Sequence, residues 1–346
     1  MNFPSSCILR LMRHAALTLS VVLALLACSF SEEYEEQTQD NDVHVAFVLT
    51  VDHTSTRSDT GWGDYGEKDD GTAQECAIRP DDIHIKICDT KGSVIGSVED
   101  IHMERITQDQ YSLTGAWMSP GTLLKDAKKV MILANCGQAA ATDNIADITY
   151  TADKTDGFIP MWGVGTIKSL TKGESNDLGD IHLLRAMAKV SLKLRSDMES
   201  RGYSVGKLTL NHRNTLGYCL PLNYQSVDKT TDIRFAGSLH ELISPATDGG
   251  LDFTTLGYAY LPERSNTTAG VTPSTITLQL FRNGTLDNTY TLPFCEYDAE
   301  GAPTDRLRDI QRNTLYLFEV YKADNQLKVS LHVLRWYVRD HDDVIM

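Results

Sequence analysis

The sequence is short of positive charge: 32 Lys and Arg stand against 47 Asp and Glu in 346 residues, a formal net charge of -15. A chain this acidic has no surplus of cations to displace counterions from a phosphate backbone, which argues against a nucleic-acid partner. No apolar run reaches the ~20 residues of a spanning helix, and a mean hydropathy of -0.26 excludes a polytopic membrane protein. His-Glu-x-x-His, Gly-x-Ser-x-Gly, the P-loop and Gly-x-Gly-x-x-Gly are all missing. The common metalloprotease, hydrolase and nucleotide chemistries therefore have no motif to rest on. The chain is read as not an enzyme, with no catalytic residues, no metal and no cofactor. Seven cysteines include no Cys-x-x-Cys pair, which removes the usual zinc and redox dithiol patterns.

The remaining polar candidates are thin. His240-Glu241 lacks a second histidine four residues on, Asp340-His341-Asp342-Asp343 lacks the alternation and glycine of a calcium loop, and Asp69-Asp70-Gly71 reads as a turn. Trp62, Trp117, Trp162 and Trp336 are scattered singly through strand-like runs. They suit core packing better than a sugar-stacking platform. Helical patterns are confined to 120–128 and 238–243, too short for the crossover that a parallel βαβ sheet requires.

What is present begins at the N-terminus. Arg10 and Arg13 precede an uncharged apolar run over 15–26, and Leu25-Leu26-Ala27-Cys28 follows the pattern of a lipobox. Residues 1–27 are expected to be a lipoprotein signal peptide, with Cys28 acylated at the new N-terminus. Several acyl chains, each contributing ~0.8 kcal/mol per buried methylene, hold a protein on a membrane far longer than one chain. Residues 28–42 form an acidic tether, Ser31-Glu32-Glu33-Tyr34-Glu35-Glu36 and Asp40-Asn41-Asp42. It reads equally as a solvated linker and as a signal for the outer face of an outer membrane. With Cys7 in the signal and Cys28 lipidated, Cys76, Cys88, Cys136, Cys219 and Cys295 remain. Their number is odd, so at least one is free, and their pairing is open; small buried hydrophobes are the expected state.

The dominant pattern has period two. Val43, Val45, Phe47, Leu49 and Val51 alternate with His44, Ala46 and Thr50, broken only by Val48, which predicts a strand with one buried face. Similar runs recur at 83–87, 129–134, 188–194, 207–210, 274–281, 314–321 and 327–333, most of them bounded by Gly, Asn, Asp or Pro. The polar stretch 170–179 divides the pattern into halves, so two β-sandwiches are expected, over 43–178 and 179–346. Leu327, Val329, Leu331 and Val333 share one face of the last run. Leu334, Trp336 and Val338 continue on the other phase, which suggests a bulge or a switch of sheet near Val333.

Several segments, taken in order, resemble the fimbrillin superfamily, the type V pilus subunits of Bacteroidales-type bacteria. They are the lipobox and acidic tether, Thr54-Ser55-Thr56-Arg57, Val130-Met131-Ile132-Leu133-Ala134-Asn135, Ile159-Pro160-Met161-Trp162-Gly163 and Leu184-Arg185-Ala186-Met187-Ala188-Lys189-Val190. Tyr260-Leu261-Pro262-Glu263, Arg312-Asn313-Thr314-Leu315-Tyr316 and the final strand into Trp336 complete the set. The resemblance implies an all-β chain of two tandem transthyretin-like β-sandwich domains, exported to the cell surface and held in outer-membrane lipid through Cys28. It also implies proteolysis between Arg57 and Ser58, which removes the strand of Val43, Val45, Phe47, Leu49 and Val51. A donor segment of another fimbrial subunit then fills the groove, the candidate donor here being Leu327, Val329, Leu331, Val333, Trp336 and Val338. The partners implied are other subunits and a host or bacterial surface ligand. The alternative reading is a monomeric surface lipoprotein that binds glycans through exposed aromatics of the second sandwich.

Overall fold

A computed structural model describes residues 41–51, 73–230, 239, 250–323 and 325–335. Cys28, Arg57, Ser58, Trp336 and Val338 lie outside the described residues, as do the signal peptide, most of the tether and nearly all of the helical pattern at 238–243.

The first sheet is built from β1 (Val43–Val51), β2 (Ile83–Cys88), β3 (Val94–Arg105), β4 (Gln110–Trp117), β5 (Lys129–Ala134), β7 (Met161–Thr166) and β8 (Ser175–Arg185). A short β6 (Thr149–Thr151) precedes β7. The seven pair in the order β1-β4-β3-β2-β5-β7-β8 and close into a barrel. An open sandwich was expected here. Closure arises because β1 is paired on both edges, antiparallel to β4 and parallel to β8. Turn chemistry sets the local path: the Asp89 carboxylate accepts the N–H groups of Lys91 and Ser93 between β2 and β3, with Gly92 at φ 77. The helical pattern at 120–128 is realised as a 3-10 turn, Gly121–Asp126. Every side chain of β5 is buried, which its sequence KVMILA anticipates.

The rest of the chain forms β9 (Ala188–Leu194), a helical turn α1 (Ser196–Ser200), β10 (Tyr203–Asn211), β11 (Leu216–Tyr218), β12 (Leu251–Asp252) and β13 (Tyr258–Leu261). There follow β14 (Thr275–Arg282), β15 (Thr285–Pro293), β16 (Cys295–Tyr297), β17 (Pro303–Leu307), β18 (Thr314–Ala323) and β19 (Gln326–Arg335). Two four-stranded sheets, β12-β10-β14-β15 and β13-β9-β18-β19, enclose a second core. Leu208, Leu210, Ile276 and Leu278 meet Val190, Leu192, Phe318 and Val320 there, and Phe294 stands edge-on to Tyr316 and Phe318. Asn283-Gly284, at φ 50 and 77, makes the two-residue turn between β14 and β15.

Residues 175–179 belong to β8 of the first sheet, and the first core also takes Cys219, Leu220, Tyr224, Val227 and Leu315 from farther along the chain. The expected bulge near Val333 is absent, since β18 and β19 pair without a break from Thr314↔Arg335 to Ala323↔Gln326. The change of phase has another cause. Sheet β13-β9-β18-β19 is apolar on both faces: Tyr316, Phe318 and Val320 enter the second core, while Leu315, Leu317 and Leu334 pack on the first.

Charged groups are buried where that sheet meets the barrel. Glu75 receives the Lys189 ammonium at 2.8 Å and the Tyr260 hydroxyl at 2.7 Å. The guanidinium of Arg185, fully buried, donates to the Glu75 carbonyl at 3.0 Å and to Asn313 Oδ1 at 3.4 Å. Arg312, also buried, donates to Glu263 at 2.6 Å and to the carbonyls of Tyr218, Cys219 and Leu220. Burial alone would raise the Glu75 carboxyl pKa, but the charge and hydrogen bond of Lys189 together with the Tyr260 hydroxyl outweigh it and hold the group below its usual range.

Lys189→Met removes one partner of a desolvated pair and should cost about 3 to 5 kcal/mol in urea denaturation. Because the folded pKa of Glu75 is depressed, its contribution is present above the unfolded value of about 4.3 and lost as pH falls through the folded value. The stability gap between wild type and Glu75→Gln should accordingly narrow below about pH 4. A gap independent of pH would show that Glu75 is not ionised in the fold.

Candidate functional site

The strand that closes the barrel, β1, carries five of the residues singled out in the sequence. Val43, Leu49 and Val51 are 0% exposed, Val45 1% and Phe47 3%, so the five alternate side chains of β1 all enter the first core. The intervening His44, Ala46 and Val48 are half-buried on the outer face. Eight consecutive residue pairs join β1 to β4, from Val43↔Trp117 to Thr50↔Gln110. Trp117 reaches across β3, where a Cβ on Gly96 would lie 2.2 Å from its indole nitrogen; glycine is required for the ring to lie there.

Burial of five such side chains contributes about 8 to 15 kcal/mol as an upper bound. Backbone pairing adds a second constraint. Without β1, the facing edges of β4 and β8 would each present unpaired N–H and C=O groups beside an apolar trough.

Of the donor candidates, Leu327, Val329, Leu331 and Val333 lie on β19 and face the second core, with Val329 and Leu331 buried. β19 is the last strand of its sheet, paired with β18 alone apart from a hydrogen bond from Val329 N–H to the Gly301 carbonyl. It is an edge strand seated in its own domain, and the sequence does not distinguish that from a donor.

Among the described residues no aromatic side chain falls in the exposed class; Trp117 and Trp162 are buried. In the described part of the second half, Tyr258, Phe281, Tyr290 and Tyr297 are half-buried. Cys76, Cys88, Cys136, Cys219 and Cys295 are all buried as free thiols, and burial pushes the Cys88 thiol up to about 12, which keeps it protonated and inert. No group of three or more His, Cys, Asp or Glu among the described residues is arranged to hold a metal. No helix among them is long and apolar enough to cross a membrane.

Sequence reading missed the buried ion pairs, although the segments that carry the family resemblance are the ones that build them. Arg185, Lys189, Tyr260 and Asn313 belong to those segments and gather around Glu75, and Glu263 and Arg312 belong to them and pair with each other. Asn135, from a further one, donates its amide to the carbonyls of Ala77 and Ile159.

No protein-family model matches the sequence, and no curated protein does. Solved structures do. The tip fimbrial protein Mfa3 from Porphyromonas gingivalis aligns with a TM-score of 0.52 at 13% identity, over 85% of this chain and 100% of that one. A fimbrilin from the same organism gives 0.50 at 12% identity, over 86% and 98%. The chain shares the fimbrillin fold. A candidate cell adhesion protein from Parabacteroides distasonis gives 0.52 at 13% identity, over 86% and 99%. The fimbrillin fold thus spans both cores, and these relatives are aligned over nearly their full lengths.

Within this fold β1 is an integral strand, so a charge on its inner face should unfold the barrel. Phe47→Asp is expected to destabilise the full chain by more than about 3 kcal/mol, read as a shift in the denaturation midpoint. His44→Asp, on the outer face, should change it by about 0.5 kcal/mol or less.

Proposed function

We propose that the protein is a fimbrial subunit with a structural and adhesive role, exported as a lipoprotein precursor and anchored through Cys28 in the outer membrane. Its assembly then proceeds by removal of β1 and insertion of a strand from another subunit. The observation that carries this reading is the position of β1. It is the most N-terminal strand described, it fills the trough between β4 and β8, and it ends six residues before Arg57 in a segment rich in Ser, Thr, Asp and Gly. Cleavage between Arg57 and Ser58 would free the strand without breaking any other described element.

The energetic logic supports the same reading. A strand retained by about 8 to 15 kcal/mol blocks the groove while it is covalently attached. Once cut, it is in competition with any extended segment that offers the same alternation. The C-terminal run Leu327, Val329, Leu331 and Val333, continued by Trp336 and Val338, is the candidate donor. Since β19 is seated in its own core, donation from 327–333 requires that seat to be vacated; Trp336 and Val338 lie outside the described residues. Fimbrial and adhesion proteins of the same fold support a surface location with other subunits as partners, and the host or bacterial surface ligand is inferred from the adhesive role.

The decisive measurement is the intact mass and N-terminal sequence of protein released from the producing cell. A chain beginning at Ser58 in a high-molecular-weight fraction is the expected result, and Arg57→Ala should abolish the polymer. A monomer that begins only at acylated Cys28 would overturn the maturation scheme.

A further inference from the structure

The two edges of β1 are not held alike. On the β4 side the ladder is antiparallel and unbroken over eight pairs. On the β8 side it is parallel, a slightly weaker pairing per residue, and its register breaks between Ala46↔Asp177 and Val48↔Asp180. Gly179, at φ 72, makes that bulge, with its N–H donated to the Asp177 carboxylate at 2.8 Å. Phe47, the largest side chain of β1, stands opposite the interruption.

The N-terminal half of β8 has a further peculiarity. β7 pairs with β8 only at 183–185, so among the described ladders Ser175–Asp180 has β1 as its sole strand neighbour. Ser175, Asp177, Gly179 and Asp180 are exposed, and Leu178 is the only apolar side chain of this half to reach the core. At the root of the same segment lies an open pocket lined by Leu124, Ala127, Lys168 and Leu170, so this end of the segment is reached by solvent. Few buried apolar contacts and exposed backbone hydrogen bonds are the marks of a segment that opens locally.

One side chain ties the segment down. Asn176 Oδ1 accepts the Thr171 N–H at 2.7 Å, and its amide nitrogen lies 2.9 Å from the carbonyls of Thr171, Glu174 and His44. The bond to His44 is the only one of these that crosses to β1.

We propose that residues 168–180 form a flap over the outer edge of β1, that the barrel opens at this seam and not at β4, and that Asn176 is its latch. The consequence for assembly, which rests on the strand-exchange reading above, is that an incoming strand first pairs where the flap has lifted. The flap itself is a property of the precursor and is tested without polymer.

Hydrogen exchange followed by mass spectrometry on the full chain reads it directly. The slowest amides of 175–180 should exchange at least roughly ten-fold faster than the slowest of 110–117, because local opening exposes the first set and only deeper unfolding the second. Asn176→Ala should speed 175–180 by a further factor of about five, the loss of one net hydrogen bond, and leave 110–117 unchanged. Asn176→Asp keeps the acceptor for Thr171 N–H and loses every bond of the amide nitrogen, to His44 as well as to the Thr171 and Glu174 carbonyls, so it separates the donor from the acceptor. Acceleration in both variants supports the latch. Acceleration in Asn176→Ala alone assigns Asn176 to the loop and overturns it. Equal protection of the two wild-type segments overturns the seam whatever the variants do.

Discussion

A barrel has no exposed edges only while every strand keeps both neighbours, and in this protein that condition rests on β1. Its partners come from far apart in the chain, β4 on one side and β8 on the other. Their backbone groups and the trough of Leu113, Ile181 and Leu183 are satisfied by one nine-residue strand with five inward apolar side chains. The same strand that completes the first core is therefore the one whose departure would create a binding groove.

Among the described ladders no strand of the second half pairs with β1. Its two sheets close a separate core, and the sheet facing the barrel is joined to it by the Lys189–Glu75 ion pair as well as by Leu315, Leu317 and Leu334. A buried pair is a weak source of net stability but a demanding one geometrically, because each partner left alone is costly. Glu75 with Lys189 thus fixes how the halves meet more than it adds to stability, while Arg312, paired with Glu263, holds the carbonyls of Tyr218, Cys219 and Leu220. That arrangement is compatible with loss of a strand elsewhere: none of these side chains lies on β1.

Much of the architecture was legible from alternation alone. The runs at 43–51, 83–87, 129–134, 188–194, 274–281 and 314–321 all became strands, and Asn283-Gly284 became the turn it suggested. Other elements carried no such signal. β15 is exposed along most of its length and reads as polar sequence. Residues 170–179 looked like a linker because Ser175, Asn176, Asp177 and Gly179 have little to bury, yet half of β8 lies there. What makes them a strand is the backbone of β1, and backbone pairing leaves no trace in side-chain chemistry.

The sequence by itself determined the acidic charge, the period-two strands, the side chains of β1 that must turn inward, and the likeness to the fimbrillins. Tertiary contacts were needed to show that the first sheet closes, that β8 rather than a linker spans 175–179, that both faces of β18 carry apolar side chains packed on a core, and that the resembling segments supply the buried ion pairs. The physical reason is the same in each case. A side chain's polarity states which environment it prefers, so alternation can be read one strand at a time. Which edge pairs with which, and which charge meets which, depends on groups brought together from distant positions, and no local pattern encodes that choice.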